Sequence, residues 1–374
     1  MISRKDIQRL IVRGQDDTQV LSIYLDMSVT SENKRTHQIF LTQQRSRFDE
    51  LDSERASHPR EAVGRALQAV QSWLDESFEE SNKGVALFVP LDGGELEAFQ
   101  LPVPVANRFK IGSRPLVGPL AEILRAHRRY GIALVSGEKL RVMSVFLDRV
   151  LDEKVVAKDA YPTARDVQAG GRASPTFQSF KEEERKGFLK EFAQEVAEFH
   201  ERRHPDHWVL LGTDENVKHF EEYLPKVIRD SVVERAHAAM HATVSELLQR
   251  LAPLFESSSM RARAEAVELV RDRVKQNHFA VAGPDAALEQ LQEGKVDRLI
   301  LARNLEMQGS RCLKCGFYLS NGNAACPYCG GELRNGVDLV ESMIRLAEQQ
   351  EVGLDFVDPE PMRDMQGVGV LLKF

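Results

Sequence analysis

Cys312-Leu-Lys-Cys315-Gly316 and Cys326-Pro-Tyr-Cys329-Gly330, two knuckles with ten residues between them, hold all four cysteines of a 374-residue chain. Each C-x-x-C pair can set both sulfurs on one ion, and the glycine after it lets the turn close with backbone amides facing the sulfurs. Four thiolates in a tetrahedron suit Zn²⁺, which has no ligand-field preference and closes a structural site without an open position. Iron in a rubredoxin-like centre is the competing ion for this spacing. A catalytic zinc is disfavoured because no position is left for water. The expectation is one structural zinc held by Cys312, Cys315, Cys326 and Cys329, in a ribbon over about 311–331 that stiffens a protruding hairpin.

The residues around the knuckles show what the ribbon is inserted into. Before it come a helix at 284–292, the turn Glu293-Gly294 and a strand at 297–302; after it come a helix at 337–349 and a strand at 352–356. Gly367-Val-Gly-Val-Leu-Leu-Lys-Phe374 reads as a further strand. With a long polar helical region up to about 276, these elements make an α/β domain over 239–374. Residues 130–238 repeat the mixture. Ile132-Ala-Leu-Val135 and two following strands precede a loop rich in Gly, Ala, Ser and Pro, and then a helix up to about 203. Phe188, Leu189, Phe192, Val196 and Phe199 recur on one face of that helix, Pro205 stops it, and Trp208-Val-Leu-Leu211 reads as a buried strand opening on Gly212. In residues 1–129, strands at 20–25 and 84–89 flank two polar helical stretches, and Asp92-Gly93-Gly94 turns the chain into a strand at 96–101. The fold class is therefore α/β, in three α/β domains at 1–129, 130–238 and 239–374.

Composition narrows the function. Lys and Arg number 50 against 57 Asp and Glu, a formal charge of −7, so nonspecific coating of nucleic acid is a poor fit. No apolar run approaches the roughly 18 residues of a membrane span, and the first residues lack a secretory leader, so a cytoplasmic protein is expected. One stretch runs against the overall charge: between 105 and 129, Arg108, Lys110, Arg114, Arg125, Arg128 and Arg129 are opposed by Glu122 alone, a cationic patch suited to phosphate contacts. The chain has no G-x-S-x-G elbow and no Walker A or dinucleotide loop, and every thiol sits in the knuckles. His200-Glu-Arg-Arg-His204 matches H-E-x-x-H, and a zinc protease using His200, Glu201 and His204 is a remote alternative. Two arginines beside a dication oppose it, and basic residues at a helix end simply complement the carbonyl terminus.

Gln168-Ala-Gly-Gly-Arg172, the helix after it, Trp208-Val-Leu-Leu-Gly-Thr-Asp-Glu215 and Tyr223-Leu-Pro-Lys226 together resemble the middle domain of archaeal and eukaryotic class-one peptide release factors and Pelota. Ala287-Leu-Glu-Gln-Leu-Gln-Glu-Gly-Lys-Val-Asp-Arg-Leu-Ile300, the cysteine ribbon, Val337-Asp-Leu-Val-Glu341 and the closing strand resemble that family's last domain, in order. The resemblance covers roughly 130–374, and the whole is similar to a bacterial branch that includes ribosome-rescue and hibernation factors. It implies a monomer that binds ribosomal RNA in the ribosomal A site, with a translational GTPase as partner. It also implies a loop, Gly170, Gly171 and Arg172, projected towards the peptidyl-transferase centre, and the cationic residues and Arg172 against RNA. The family's hydrolytic loop reads Gly-Gly-Gln; here Arg172 replaces the glutamine by a long cation with no acceptor. Binding with weak or absent hydrolysis is the expectation, and an active peptidyl-tRNA hydrolase working through the loop backbone is the alternative. Residues 1–129 carry no counterpart of the family's codon-reading domain.

Overall fold

The computed structural model describes residues 2–13, 19–29, 36–51, 60–147, 149–158, 175–320 and 324–373. The nearly continuous apolar run Val20-Leu-Ser-Ile-Tyr-Leu-Asp26 forms β1 (Val20–Asp26), buried along almost its whole length at the centre of an antiparallel sheet. Its neighbours are β2 (Gly84–Pro90), β3 (Glu97–Leu101) and β4 (Arg108–Gly112), in the order β3-β2-β1-β4. The polar stretches between the strands give α2 (His37–Leu51) and α3 (Arg60–Ser77), which follow α1 (Arg4–Arg13). Ala62, Val63, Ala66, Val70 and Leu74 of α3 pack on Leu21, Ile23, Leu25, Val85, Leu87 and Val89 of the sheet, so the apolar stripe of the helix meets the alternating face of the strands. α4 (Gly118–Ala126) follows.

The middle sheet runs β7-β6-β5-β8-β9, from β5 (Tyr130–Val135), β6 (Lys139–Phe146), β7 (Arg149–Ala157), β8 (His207–Gly212) and β9 (Val232–Ala236). β5 and β8 pair in parallel across α5 (Pro175–Arg203), which buries Leu189, Phe192, Val196 and Phe199 against Trp208 and its neighbours. Gly131 makes room for that indole: a Cβ there would lie 2.7 Å from three Trp208 ring carbons. β8 ends at Gly212, whose φ of +151° and whose missing Cβ, 2.4 Å from the Val135 carbonyl oxygen, let the chain turn sharply into α6 (Asp214–Tyr223), capped by Thr213. α7 (Lys226–Arg229) leads into β9.

α8 (Val244–Lys275) precedes β10 (Ala280–Ala282), α9 (Pro284–Gln292) and β11 (Val296–Ala302). The ribbon comes next, as β12 (Gln308–Cys312), β13 (Tyr318–Leu319) and β14 (Leu333–Asp338), in a three-stranded sheet of order β13-β12-β14. α10 (Leu339–Gln349), β15 (Gly353–Val357), a 3-10 turn at Glu360–Met365 and β16 (Val368–Leu372) complete a sheet of order β10-β16-β11-β15.

The packing forms two compact units, one from Met1–Ala126 with Met260–Phe374, the other His127–Ser259. The ends of the chain thus share a unit, the first contributing one sheet and the last two. The second boundary falls inside α8 and not at 238/239, because the one helix serves two cores. Its Leu247 and Leu251 pack with Tyr130, Ile132 and Leu134, whereas Ala266, Val267 and Val270 pack with Ile300 and Met362. A buried polar seam joins the two ends of the chain. Glu348 on α10, with its side chain 1% exposed, takes Arg4 Nε at 2.9 Å and Arg125 Nη2 at 2.9 Å. Glu341, about two turns earlier on α10, accepts the Val117 and Gly118 amides at 2.8 and 2.9 Å, capping the start of α4, and pairs with Arg345 at 3.1 Å. Burial outweighs Arg345 and the two amides, and holds the Glu341 carboxyl above its ordinary range.

Candidate functional site

The knuckles fold as their spacing requires. Gly316 and Gly330 take left-handed φ values of +78° and +67°, and their amides close the turns on the Cys312 and Cys326 carbonyls at 3.0 and 2.9 Å. The Lys314 and Cys315 amides then both point at Cys312 Sγ, each at 3.4 Å. All four sulfurs lie within 4.8 Å of one another, with Cys312–Cys329 at 3.5 Å and Cys315–Cys326 at 3.6 Å. A disulfide would need about 2.05 Å. A tetrahedron of sulfurs about 2.3 Å from a central ion has edges of roughly 3.8 Å, close to what is seen. Gly331 keeps the cradle open, since a Cβ there would meet Lys314 Cβ at 2.8 Å and Cys312 Sγ at 3.1 Å.

The electrostatics at Cys312 and Cys315 fit a cation-binding set. The Cys315 amide, with help from the Lys314 amide and against burial, pulls the Cys312 thiol down to about 6. The Phe317 amide acts on Cys315 in the same sense, yet burial and the three neighbouring sulfurs outweigh it and push that thiol up to about 12. Of these two thiols, one ionises readily and the other resists, and a cation between them would favour both thiolates. Cys312 and Cys326 are buried, Cys329 is half-buried and Cys315 is exposed. The ribbon is tied to α9 by the Gln292 side-chain amide, which accepts from Tyr318 N at 2.6 Å and donates to Tyr318 O at 3.1 Å.

The other residues singled out in the sequence are placed differently. Among the described residues, the four cysteines are the one group of three or more potential metal ligands. His200 and His204 do not converge: their rings are 6.5 Å apart, His204 leaves the helix with a φ of +45°, and Trp208 Nε1 donates to His200 Nδ1 at 3.2 Å. That hydrogen bond occupies the Nδ1 lone pair and leaves the neutral ring's proton on Nε2, so neither nitrogen is free for a metal, and burial, then the neighbouring His204, lowers the His200 pKa from its ordinary value. The zinc-protease arrangement is thus not formed.

The six basic residues between 105 and 129 do not make one open face. Lys110 pairs with Asp338, Arg114 Nη1 donates to the Tyr318 hydroxyl at 3.2 Å, and Arg125 is held by Glu348. Arg129 donates from its backbone to Asp206 and from Nη1 to the Arg203 carbonyl at 2.7 Å. Arg108 reaches only the neutral Asn304 amide oxygen, at 2.9 Å, and Arg128 forms no ion pair among the described residues. Gly170, Gly171 and Arg172 lie outside the described residues. The structure also brings together arginines to which sequence reading assigns nothing. Arg311 on β12 stands opposite Arg334 on β14 and opposite Tyr318 on β13. No local pattern marks them, because the strands that pair them are separated by the whole ribbon.

Residues 115–256 match the model of bacterial archaeo-eukaryotic release factor family 10. The match spans the middle sheet from β5 to β9 and includes Gly170-Gly171-Arg172. The chain is also 20% identical over 410 residues to peptide chain release factor subunit 1 of Thermococcus onnurineus (strain NA1), covering 99% of this chain and 97% of that protein. Among solved structures it is similar to an archaeal translation termination factor, at 16% identity over 100% of this chain and 99% of the other, with a TM-score of 0.28. Dom34 of S. cerevisiae, a translation termination-like factor, is 10% identical over 80% and 83% of the two chains, with a TM-score of 0.41. The likeness to release factors read from the sequence is therefore found independently in the family model and in a full-length relative. No described helix is long and apolar enough to cross a membrane.

Proposed function

We propose that this protein is a ribosome-binding translation factor that occupies the A site in hibernation or rescue, with peptidyl-tRNA hydrolysis weak or absent. The observation that carries the reading is Arg172: within the segment that matches the release-factor family, the third residue of the Gly-Gly loop is a cation where the hydrolytic loop has glutamine. A glutamine side chain both donates and accepts, and so can orient water; a guanidinium only donates, and pairs with phosphate. Gly170 and Gly171 would still allow close approach of the loop to RNA. The RNA contact expected of the 105–129 stretch then falls mainly to Arg108 and Arg128, whose charges no described carboxylate offsets. The four cysteines would hold a structural zinc, which supplies rigidity to the ribbon and no chemistry to a substrate. The ribbon-bearing part would face a translational GTPase, and the protein would act as a cytoplasmic monomer.

Co-sedimentation with ribosomes from stationary or stressed cells, over a salt series, tests the reading. Binding that weakens steeply with salt supports it, and no co-sedimentation at low salt removes it. The alternative, an active hydrolase working through the Arg172 backbone amide, predicts efficient release of nascent peptide from stalled ribosomes and its loss in Gly171→Pro.

A further inference from the structure

Between the ribbon, α10, α1 and the segment that follows β4 lies a pocket of about 480 Å³ with four arginines in its wall: Arg114, Arg311, Arg334 and Arg345. Ser113, Tyr318 and Gln349 complete the polar lining, and no carboxylate contributes to it. Within the ribbon sheet, Arg311 and Arg334 are direct cross-strand partners, a like-charge pairing that costs stability wherever nothing lies between the two. Arg311 is also stacked over the Tyr318 ring, 5.7 Å from its centroid, and its Nε is buried without a hydrogen-bond partner. Arg114 reaches the same tyrosine from the far side, through its hydroxyl. Arg345 forms the floor, only 4% exposed; Glu341 compensates it, whereas no described carboxylate pairs with Arg114, Arg311 or Arg334.

A buried guanidinium nitrogen with no acceptor is a costly arrangement, and so are three uncompensated cations in one pocket. Both costs vanish when a dianion with several acceptor oxygens occupies the space, and planar guanidinium forks match phosphate oxygens two at a time. We propose that this pocket is a phosphate-binding site, taking a small phosphorylated anion between Arg311 and Arg334 with Arg114 closing over it. Its volume is that of an ordinary small-molecule site, so the phosphate can arrive as the free ion or on a mononucleotide. None of the residues lining the pocket belongs to the Gly170-Gly171-Arg172 segment, and the proposal does not depend on ribosome binding.

Titration calorimetry on the intact, zinc-loaded chain at low salt, with inorganic phosphate and with AMP as probes, tests this directly. Saturable binding with a Kd of about 1 mM or tighter is expected for at least one probe, weakening as sodium chloride rises. Equal affinities identify the free ion as sufficient, and tighter AMP identifies a nucleotide-borne phosphate; either supports the site. Arg311→Gln and Arg334→Gln should each weaken binding at least tenfold, the scale of one lost charge-assisted contact. Arg334 is exposed at the ribbon edge, so its variant keeps the test valid if Arg311→Gln disturbs the knuckle beside it. Arg363→Gln removes a cation 81% exposed elsewhere in the same unit and should leave the affinity unchanged. Absence of saturable binding by both probes up to roughly 10 mM, or equal weakening by Arg363→Gln, overturns the proposal.

Discussion

Glu348→Gln should loosen the unit built from the two ends of the chain and leave the other unit alone. The substitution conserves shape, so no cavity opens, and what is lost is the negative charge between Arg4 and Arg125. Glu348 is 1% exposed, but Arg4 and Arg125 are 38% and 28% exposed and can turn towards water once released. That places each lost contact at the low end for a hydrogen bond to a charged group, about 1.5 kcal/mol, for a sum of about 3 kcal/mol. For a folding unit of this size, each kcal/mol moves the midpoint by roughly 2–4 °C, so the transition should fall by roughly 6–12 °C. The assay is favourable because the two tryptophans report separately: Trp73 lies on α3 in the unit of the chain ends and Trp208 lies on β8 in the other. In a Trp73→Phe background, the Trp208 transition should stay in place, while the calorimetric transition of the first unit moves. A double-mutant cycle with Arg125→Met should return a coupling of about 1 kcal/mol or more. A shift under roughly 2 °C with coupling near zero would refute the claim that this carboxylate clamps the chain ends together.

Three further outcomes follow from the site and the middle core. The native chain should carry one zinc equivalent, and Cys326→Ser should lose it together with the protease resistance of the ribbon; a retained equivalent, read by atomic absorption, would place the ion elsewhere. His200 has a folded pKa below its unfolded value of about 6.5, so the native state binds fewer protons than the unfolded one. Its contribution is complete above about 6.5 and is lost as the pH falls from there through the folded value, because protonation removes the acceptor for Trp208 Nε1. Trp208 fluorescence during denaturation at pH 7 and pH 5 should show this dependence, and His200→Gln should flatten it. Gly131→Ala should cost about 1–3 kcal/mol through the clash with the Trp208 ring, and denaturant titration giving no loss would contradict the close approach described here.

The contrast between the cysteine site and the arginine pocket shows what kind of information each needs. Cys312 to Cys329 are close in sequence, and two tight turns with glycine at their ends are enough to converge the sulfurs, so local spacing carries the whole geometry. His200 and His204 have an equally suggestive spacing, but the helix ends between them and Trp208, four residues beyond His204, takes the first imidazole. The basic stretch from 105 to 129 looked like a surface because its counter-charges, Asp338 and Glu348, are more than 200 residues away along the chain. Helix α8 is one continuous element, and the cores on either side of it show that the unit boundary passes through it.

The sequence by itself determined the α/β character of the chain, the amphipathic face of α5 and the four-sulfur donor set, because each of these depends on periodicity or on spacing within a few turns of backbone. The replacement of glutamine by Arg172 is likewise a property of the sequence alone. The tertiary structure decided which cations are already neutralised, how the two ends of the chain combine, and that Arg114, Arg311, Arg334 and Arg345 share one pocket. Those features depend on strand pairing and helix packing between distant segments. Such contacts follow from burying apolar faces together, and no local pattern of charges encodes which side chains that burial brings face to face.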